Sequence, residues 1–231
     1  MSRIVGTNRI DIIRGGPRAD SIYGLGGGDF LYGNGGFDKI YGGTGNDKIY
    51  GGDYRDSLYG QAGNDIIRGG SGNDTIFGGV GNDKIYGDSG KDIARGGSGN
   101  DVISGGDAGD KLYGESGNDR INGGDGNDLI AGGTGIDVMN GGNGADRFVF
   151  GASDALRSAS GKVDTIVGFK GVFQGGTDKI DLSHVPNVVF QTFDLLGGGK
   201  LLQFAANNGA GPLNEVFITG ITVIDNADFI I

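Results

Sequence analysis

Gly78-Gly79-Val80-Gly81-Asn82-Asp83-Lys84-Ile85-Tyr86 is the stretch whose reading decides the fold. It has the form G-G-x-G-x-D-x-U-x, with U a large apolar residue, and it recurs in both directions along the chain. An aspartate stands at every ninth position, giving sixteen rungs without a miss: Asp11, Asp20, Asp29, Asp38, Asp47, Asp56, Asp65, Asp74, Asp83, Asp92, Asp101, Asp110, Asp119, Asp128, Asp137 and Asp146. Two residues after nearly every rung comes a large apolar side chain, from Ile13 through Ile40, Ile67 and Ile121 to Phe148. Ala94 is the lapse in that row, and it predicts a thin point in the core. Four residues after each rung comes glycine, from Gly15 to Gly141, broken only at Phe150.

A fixed period with a glycine-rich half and a β-prone half is the signature of a parallel β-helix that binds Ca²⁺. The x-U-x half suits a three-residue strand, because Ile and Tyr favour a pleated surface and alternation turns U inward. The G-G-x-G-x-D half suits a tight turn, since glycine allows positive φ and close backbone approach. One strand per nonapeptide means two nonapeptides per coil. Units 18 residues apart then stack, and the aspartates form two rows, one on each edge.

Neighbouring strands lie roughly 4.8 Å apart. At that spacing two carboxylates repel by about 1 kcal/mol in water and about 3–4 kcal/mol at an effective dielectric near 20. Summed along an edge, even the lower figure competes with a folding free energy of about 5–15 kcal/mol. The 54 glycines add chain entropy to the cost. The coil is therefore expected to need cations. Ca²⁺ fits, being a hard ion that takes carboxylate and carbonyl oxygens.

Residues from about 6 to 150 resemble the repeats-in-toxin (RTX) nonapeptide array, whose fold is a right-handed parallel β-roll. The resemblance implies multiple Ca²⁺ ions, each between loops two units apart. One loop would give the carbonyls five and three residues before its Asp, the other those four and two before. On this chain that means Gly79, Gly81 and Asp83 against Gly96, Ser98 and Asp101, or the mirror assignment. The implied ligand set is Asp29, Asp38, Asp47, Asp65, Asp74, Asp83, Asp92, Asp101, Asp119, Asp128, Asp137 and Asp146. With them come Gly43, Gly45, Gly63, Gly70, Gly72, Gly79, Gly81, Gly97, Gly99, Gly117, Gly124, Gly126, Gly133 and Gly135.

Four loops break the glycine rule: 6–11, 15–20, 51–56 and 105–110. The last three belong to the row of Asp20, Asp38, Asp56, Asp74, Asp92, Asp110, Asp128 and Asp146, while the opposite row reads as regular from Asp29 to Asp137. Arg18 and Arg55 sit in two of these loops. Gaps in Ca²⁺ occupancy are expected on that edge only, with guanidinium in place of metal.

The net charge of −10 comes from 19 basic and 29 acidic residues, and the ladder supplies most of the acidity. That argues against a nucleic-acid partner, which needs a basic face. Without cysteine, neither disulfides nor a zinc–thiolate site is possible. Met1 to Asn8 shows no apolar h-region or cleavage signature, and no run approaches transmembrane length. Ser2-Arg3-Ile4-Val5-Gly6 reads as a degenerate first repeat.

The repeat rhythm stops at Phe150, which divides the chain into a roll at 1–150 and a C-terminal β-rich cap at 151–231. Candidate strands there are 163–169, 179–182, 188–193, 201–205 and 216–221, with a turn at 207–212. A cap protects the open end of the last coil from edge-to-edge aggregation. The segments 144–150, 163–169 and 177–183 resemble the C-terminal region of serralysin-type proteases and of alginate epimerase repeat modules. The ending Asp228-Phe229-Ile230-Ile231 is similar to the signal of proteins exported by type I secretion. The resemblance implies that machinery as a partner and an extracellular location outside a Gram-negative cell.

No enzyme is expected. His184 is the one histidine, so the two-histidine zinc-protease motif H-E-x-x-H is absent; no G-x-S-x-G elbow occurs, and a Ser-His-Asp triad is not expected. Tyr23, Tyr41, Tyr59, Phe77 and Tyr113 on one face, and Tyr32, Tyr50 and Tyr86 on the other, form outward ladders. They suit either a polysaccharide platform or cross-strand stacking that stabilises the sheet, the simpler reading. The expectation is an all-β, monomeric, calcium-binding secreted protein or module. The alternatives are a polysaccharide-binding module of an epimerase-like enzyme and the C-terminal part of a serralysin-like protease.

Overall fold

The computed structural model describes residues 1–151, 164–167, 178–184, 188–194, 200–206, 214–218 and 229–230. All regular structure among them is strand. No helix of the described residues is long and apolar enough to cross a membrane.

Successive strands alternate between two parallel sheets, and each pairs with the strand 18 residues away. Ile40 stands beside Ile22 and Leu58 in one sheet, and Ile49 beside Leu31 and Ile67 in the other. The result is a β-solenoid of about eight turns. Ser2–Val5 joins it in repeat register, Ser2 facing Asp20 and Ile4 facing Ile22. The interior is two facing files of apolar side chains, one from each sheet, and the residues from Ile22 to Phe148 are 0–2 % exposed. Ala94 is buried in its file between Ile76 and Leu112.

The strands are longer than the three residues expected. Lys39–Thr44 and its equivalents run six, through x-U-x-G-G-x, because pairing continues past the second glycine: Gly43 faces Gln61 and Thr44 faces Ala62. The turn proper is only the last three residues, such as Gly45-Asn46-Asp47. A short turn between two paired strands holds each aspartate at a fixed height on the edge.

Both sheets continue beyond residue 150. Arg147–Gly151 is followed by Lys179–His184 and then Phe229–Ile230. Val138–Asn143 is followed by Asp164–Val167 and Asn214–Ile218, to which Lys200–Ala206 and Val188–Asp194 add antiparallel. Arg147 donates through Nε to Oδ2 of the fully buried Asp181 at 2.8 Å and contacts the same oxygen through Nη2. The turn expected at 207–212 and the side chain of His184 lie outside the described residues.

Candidate metal centres along the two edges

Every rung from Asp20 to Asp146 is buried. One carboxylate oxygen is satisfied in the same way throughout. The backbone N–H of each rung donates to Oδ1 of the rung one turn on: Asp29 to Asp47 at 2.7 Å and Asp47 to Asp65 at 2.8 Å on one edge, Asp38 to Asp56 at 2.8 Å and Asp56 to Asp74 at 2.7 Å on the other. The second oxygen is not satisfied. Oδ2 of each rung from Asp29 to Asp128 is buried without a hydrogen-bond partner. A buried carboxylate oxygen with nothing to bind costs free energy unless a proton or cation meets it.

Burial is the main electrostatic burden. It lifts the carboxyls of Asp47, Asp83 and Asp92 to about 6. Those of Asp56, Asp65, Asp74, Asp110 and Asp119 are lifted to about 7. The N–H bond to Oδ1 opposes the rise, and repulsion from neighbouring rungs adds a smaller share. Mutual repulsion, the effect the spacing made prominent, is thus secondary to desolvation.

Backbone oxygens meet between successive turns of an edge. The Gly79 and Gly81 carbonyls point at Gly97 and Gly99 so closely that neither could carry a Cβ. The Gly96 carbonyl points back, 2.5 Å from the place of a Cβ on Gly78, where Oδ2 of Asp83 also lies. The Ser98 carbonyl likewise points back, accepting the Gly81 N–H at 2.8 Å. The facing set is therefore Gly79, Gly81 and Asp83 with Gly96, Ser98 and Asp101. The mirror set does not face, because the Val80 carbonyl is turned the other way, accepting from Gly63 at 2.8 Å.

Among the described residues no group of three or more His, Cys, Asp or Glu side chains converges. A cation here would be held mainly by carbonyls, with aspartates from adjoining turns. All-oxygen donors suit a hard ion that tolerates irregular coordination, which favours Ca²⁺ over Zn²⁺ or Mg²⁺.

From Asp29 on, the glycines four and two residues before each rung hold positive φ, as in Gly43 (113°) and Gly45 (118°). Where the sequence has another residue the conformation persists: Leu25, Gln61 and Glu115 on one edge and Asn34, Tyr54, Asp88 and Ala108 on the other have φ between 71° and 80°. Departures from glycine thus occur on both edges, not one. Asp56 and Asp110, left out of the implied ligand set, are buried with an unpartnered Oδ2 like the rest.

Arg18 and Arg55 do not reach the carboxylates of their own loops. Both are exposed, and neither pairs with a carboxylate among the described residues. Their loop positions face outward while the carboxylate faces inward. The real departures are the first loop of each edge. There the Thr7 N–H donates to Oδ2 of Asp11 at 2.6 Å, and the Gly16 N–H to Oδ2 of Asp20 at 2.8 Å. These two loops satisfy their own carboxylates, so the hydrogen-bond pattern changes at the N-terminal end of both rows.

Two rungs escaped the periodic reading. Asp137 N–H donates to Oδ1 of Asp164 at 2.8 Å, and Asp146 N–H to Oδ1 of Asp178 at 3.1 Å. The D-x-U triplets Asp164-Thr165-Ile166 and Asp178-Lys179-Ile180 carry the signal, at altered spacing. A second ladder was also missed. The asparagine before the rung accepts the N–H of its counterpart one turn on, linking Asn46, Asn64, Asn82, Asn100 and Asn118 at 2.6–2.8 Å.

The outward aromatic ladders stack ring on ring in their N-terminal parts, while Tyr86 and Tyr113 lie under Arg68 and Arg95. Tyr23, Tyr41, Tyr59 and Phe77 have centroids 4.8–5.1 Å apart and planes within 6°, and Tyr32 and Tyr50 stack at 4.9 Å. Arg3 and Arg14 close their N-terminal ends, over Tyr23 and Tyr32. The ring faces are largely taken up by one another, as cross-strand stabilisation requires.

The family model of the RTX calcium-binding nonapeptide repeat (4 copies) matches the chain in overlapping blocks, at 5–40, 41–76, 59–94, 68–103, 86–121, 95–130 and 122–154. The AlgE6R3 subunit of the Azotobacter vinelandii mannuronan C5-epimerase, a solution structure, is 26 % identical; the match covers 58 % of this chain and 80 % of that one, with a TM-score of 0.49. The AlgE6R2 subunit of the same enzyme is 28 % identical over 55 % of this chain and 90 % of its own, with a TM-score of 0.40. No curated protein sequence matches the chain.

Proposed function

The chain belongs to the RTX family of calcium-binding nonapeptide repeat proteins, and from that premise we propose a non-catalytic, secreted module whose folding is switched on by extracellular Ca²⁺ after type I export. The observation that supports this is the row of buried, unpartnered Oδ2 atoms from Asp29 to Asp128, set among converging carbonyls. At low calcium and neutral pH, folding would bury these carboxylates with nothing to bind, so the unfolded chain is favoured. That is the form an export channel can thread. Outside the cell, Ca²⁺ would neutralise the rows, and each ion bound would tie one turn to the next. Binding free energy is then folding free energy.

Many ions are expected, about a dozen at one per gap between successive regular turns. Direct calcium counting on the full chain, by equilibrium dialysis against buffered Ca²⁺ with Mg²⁺ as control, tests this. A stoichiometry of one or two ions, or equal folding by Mg²⁺, would refute it.

A further inference from the structure

The most irregular loops of the N-terminal half meet on one edge. The 18-residue register brings Pro17-Arg18-Ala19, Gly35-Gly36-Phe37, Asp53-Tyr54-Arg55 and Ser71-Gly72-Asn73 side by side. Phe37 and Tyr54 are 59 % and 61 % exposed, the most open aromatic side chains among the described residues. They meet edge to face, with centroids 5.8 Å apart and planes at 63°. Such a pair covers at most one ring face, whereas the tyrosine stacks cover most of theirs. Tyr54 holds φ at 76°, the left-handed conformation that the other replaced glycines of the two edges also keep. Toward the next turn it borders a shallow, open depression of about 400 Å³ with Asp53, Ser71 and Gly72. Arg3, Arg14, Arg68 and Arg95 each lie over a ring. Arg18 and Arg55, on this edge, have neither ring nor ion pair among the described residues.

We propose that this edge is a carbohydrate-binding site. The open faces of Phe37 and Tyr54 take the C–H face of a pyranose ring, Asp53 and Ser71 bond its hydroxyls, and Arg18 and Arg55 accept an acidic substituent where there is one. A linear edge with exposed rings suits a linear polymer. A membrane fits less well: the chain carries a net charge of −10, and insertion would strip water from Asp53. The site needs the folded edge and is otherwise independent of how calcium drives folding.

Affinity electrophoresis of the calcium-saturated full chain tests it, with hydroxyethylcellulose, galactomannan, carboxymethylcellulose and hyaluronate in the gel. At least one polymer should retard the protein. Phe37→Ala and Tyr54→Gly should each weaken that binding tenfold or more, and Tyr41→Ala less than twofold. Tyr54→Gly should keep or raise the thermal midpoint in calcium, since glycine accepts the positive φ, so its loss of binding is not loss of fold. Retardation stronger in the acidic polymers assigns Arg18 and Arg55 to a carboxylate. Absence of retardation by all four polymers overturns the proposal, as does equal loss in Tyr41→Ala, or capture by phosphatidylglycerol vesicles with no polymer binding.

Discussion

The backbone N–H of Asp65 donates to Oδ1 of Asp83 at 2.8 Å, one turn ahead, while Oδ2 of Asp83 stays buried and without a partner. The first half of that relationship ties each turn to the next. The second half makes the tie conditional, because the same carboxylate is too deeply placed to carry its charge alone.

Asp83→Asn separates the two halves. The amide oxygen can keep the bond from Asp65, and the amide nitrogen can donate to surrounding carbonyls. Without calcium the variant should be more stable than wild type, by about 1–3 kcal/mol, the usual cost of an unsatisfied buried group. In saturating calcium it should be less stable and bind fewer ions. Thermal or urea midpoints in chelator and in calcium check both signs, and a loss in both conditions would contradict the reading.

Acid should partly replace calcium. Burial lifts Asp47, Asp83 and Asp92 to about 6, and Asp56, Asp65, Asp74, Asp110 and Asp119 to about 7, from 3.8. The folded metal-free chain thus holds protons more tightly than the unfolded one. Its stability from these groups is complete below about pH 4 and lost as pH rises through about 6–7. Chelated protein should show more β signal at pH 5 than at pH 8. With calcium the dependence reverses, because protons compete for the ligands and the calcium midpoint rises as pH falls. Equal disorder at both pH values in chelator would show that burial is not the obstacle.

The tyrosine stack should stabilise the sheet in saturating calcium. Tyr41 touches Tyr23 at 5.0 Å and Tyr59 at 4.8 Å. Tyr41→Ala should cost about 1–3 kcal/mol, two aromatic pairs at about 0.5–1.5 each. A double-mutant cycle with Tyr59 should return a coupling near one pair. A cycle that closes to zero would mean the stacked rings do not stabilise one another.

What was legible in the sequence was whatever the period imposes. The nine-residue spacing of Asp11 to Asp146 placed the rows, and the apolar residue two later placed the two files. What was hidden needed coordinates one turn away. That Asp65 N–H reaches Asp83 depends on three-residue turns, and these follow from strands that keep pairing through Gly43 and Gly52. For Arg18 and Arg55 the loop position was legible but the exposure of the side chain was not. Leu25, Gln61 and Glu115 stand in the row that reads as regular from Asp29 to Asp137, and they show that the loop conformation survives without glycine. Asp164 and Asp178 lost their periodic spacing while keeping their triplets, so counting by nine passed over them.

The most direct measurement is far-UV circular dichroism of the chelated full chain at neutral pH during a calcium titration. The buried Oδ2 rows predict a disordered spectrum in chelator and a steep, cooperative rise of β signal between about 0.1 and 1 mM Ca²⁺, the range of extracellular sites. Full β signal in chelator at neutral pH would contradict the central claim, and the two apolar files would then hold the solenoid together without calcium.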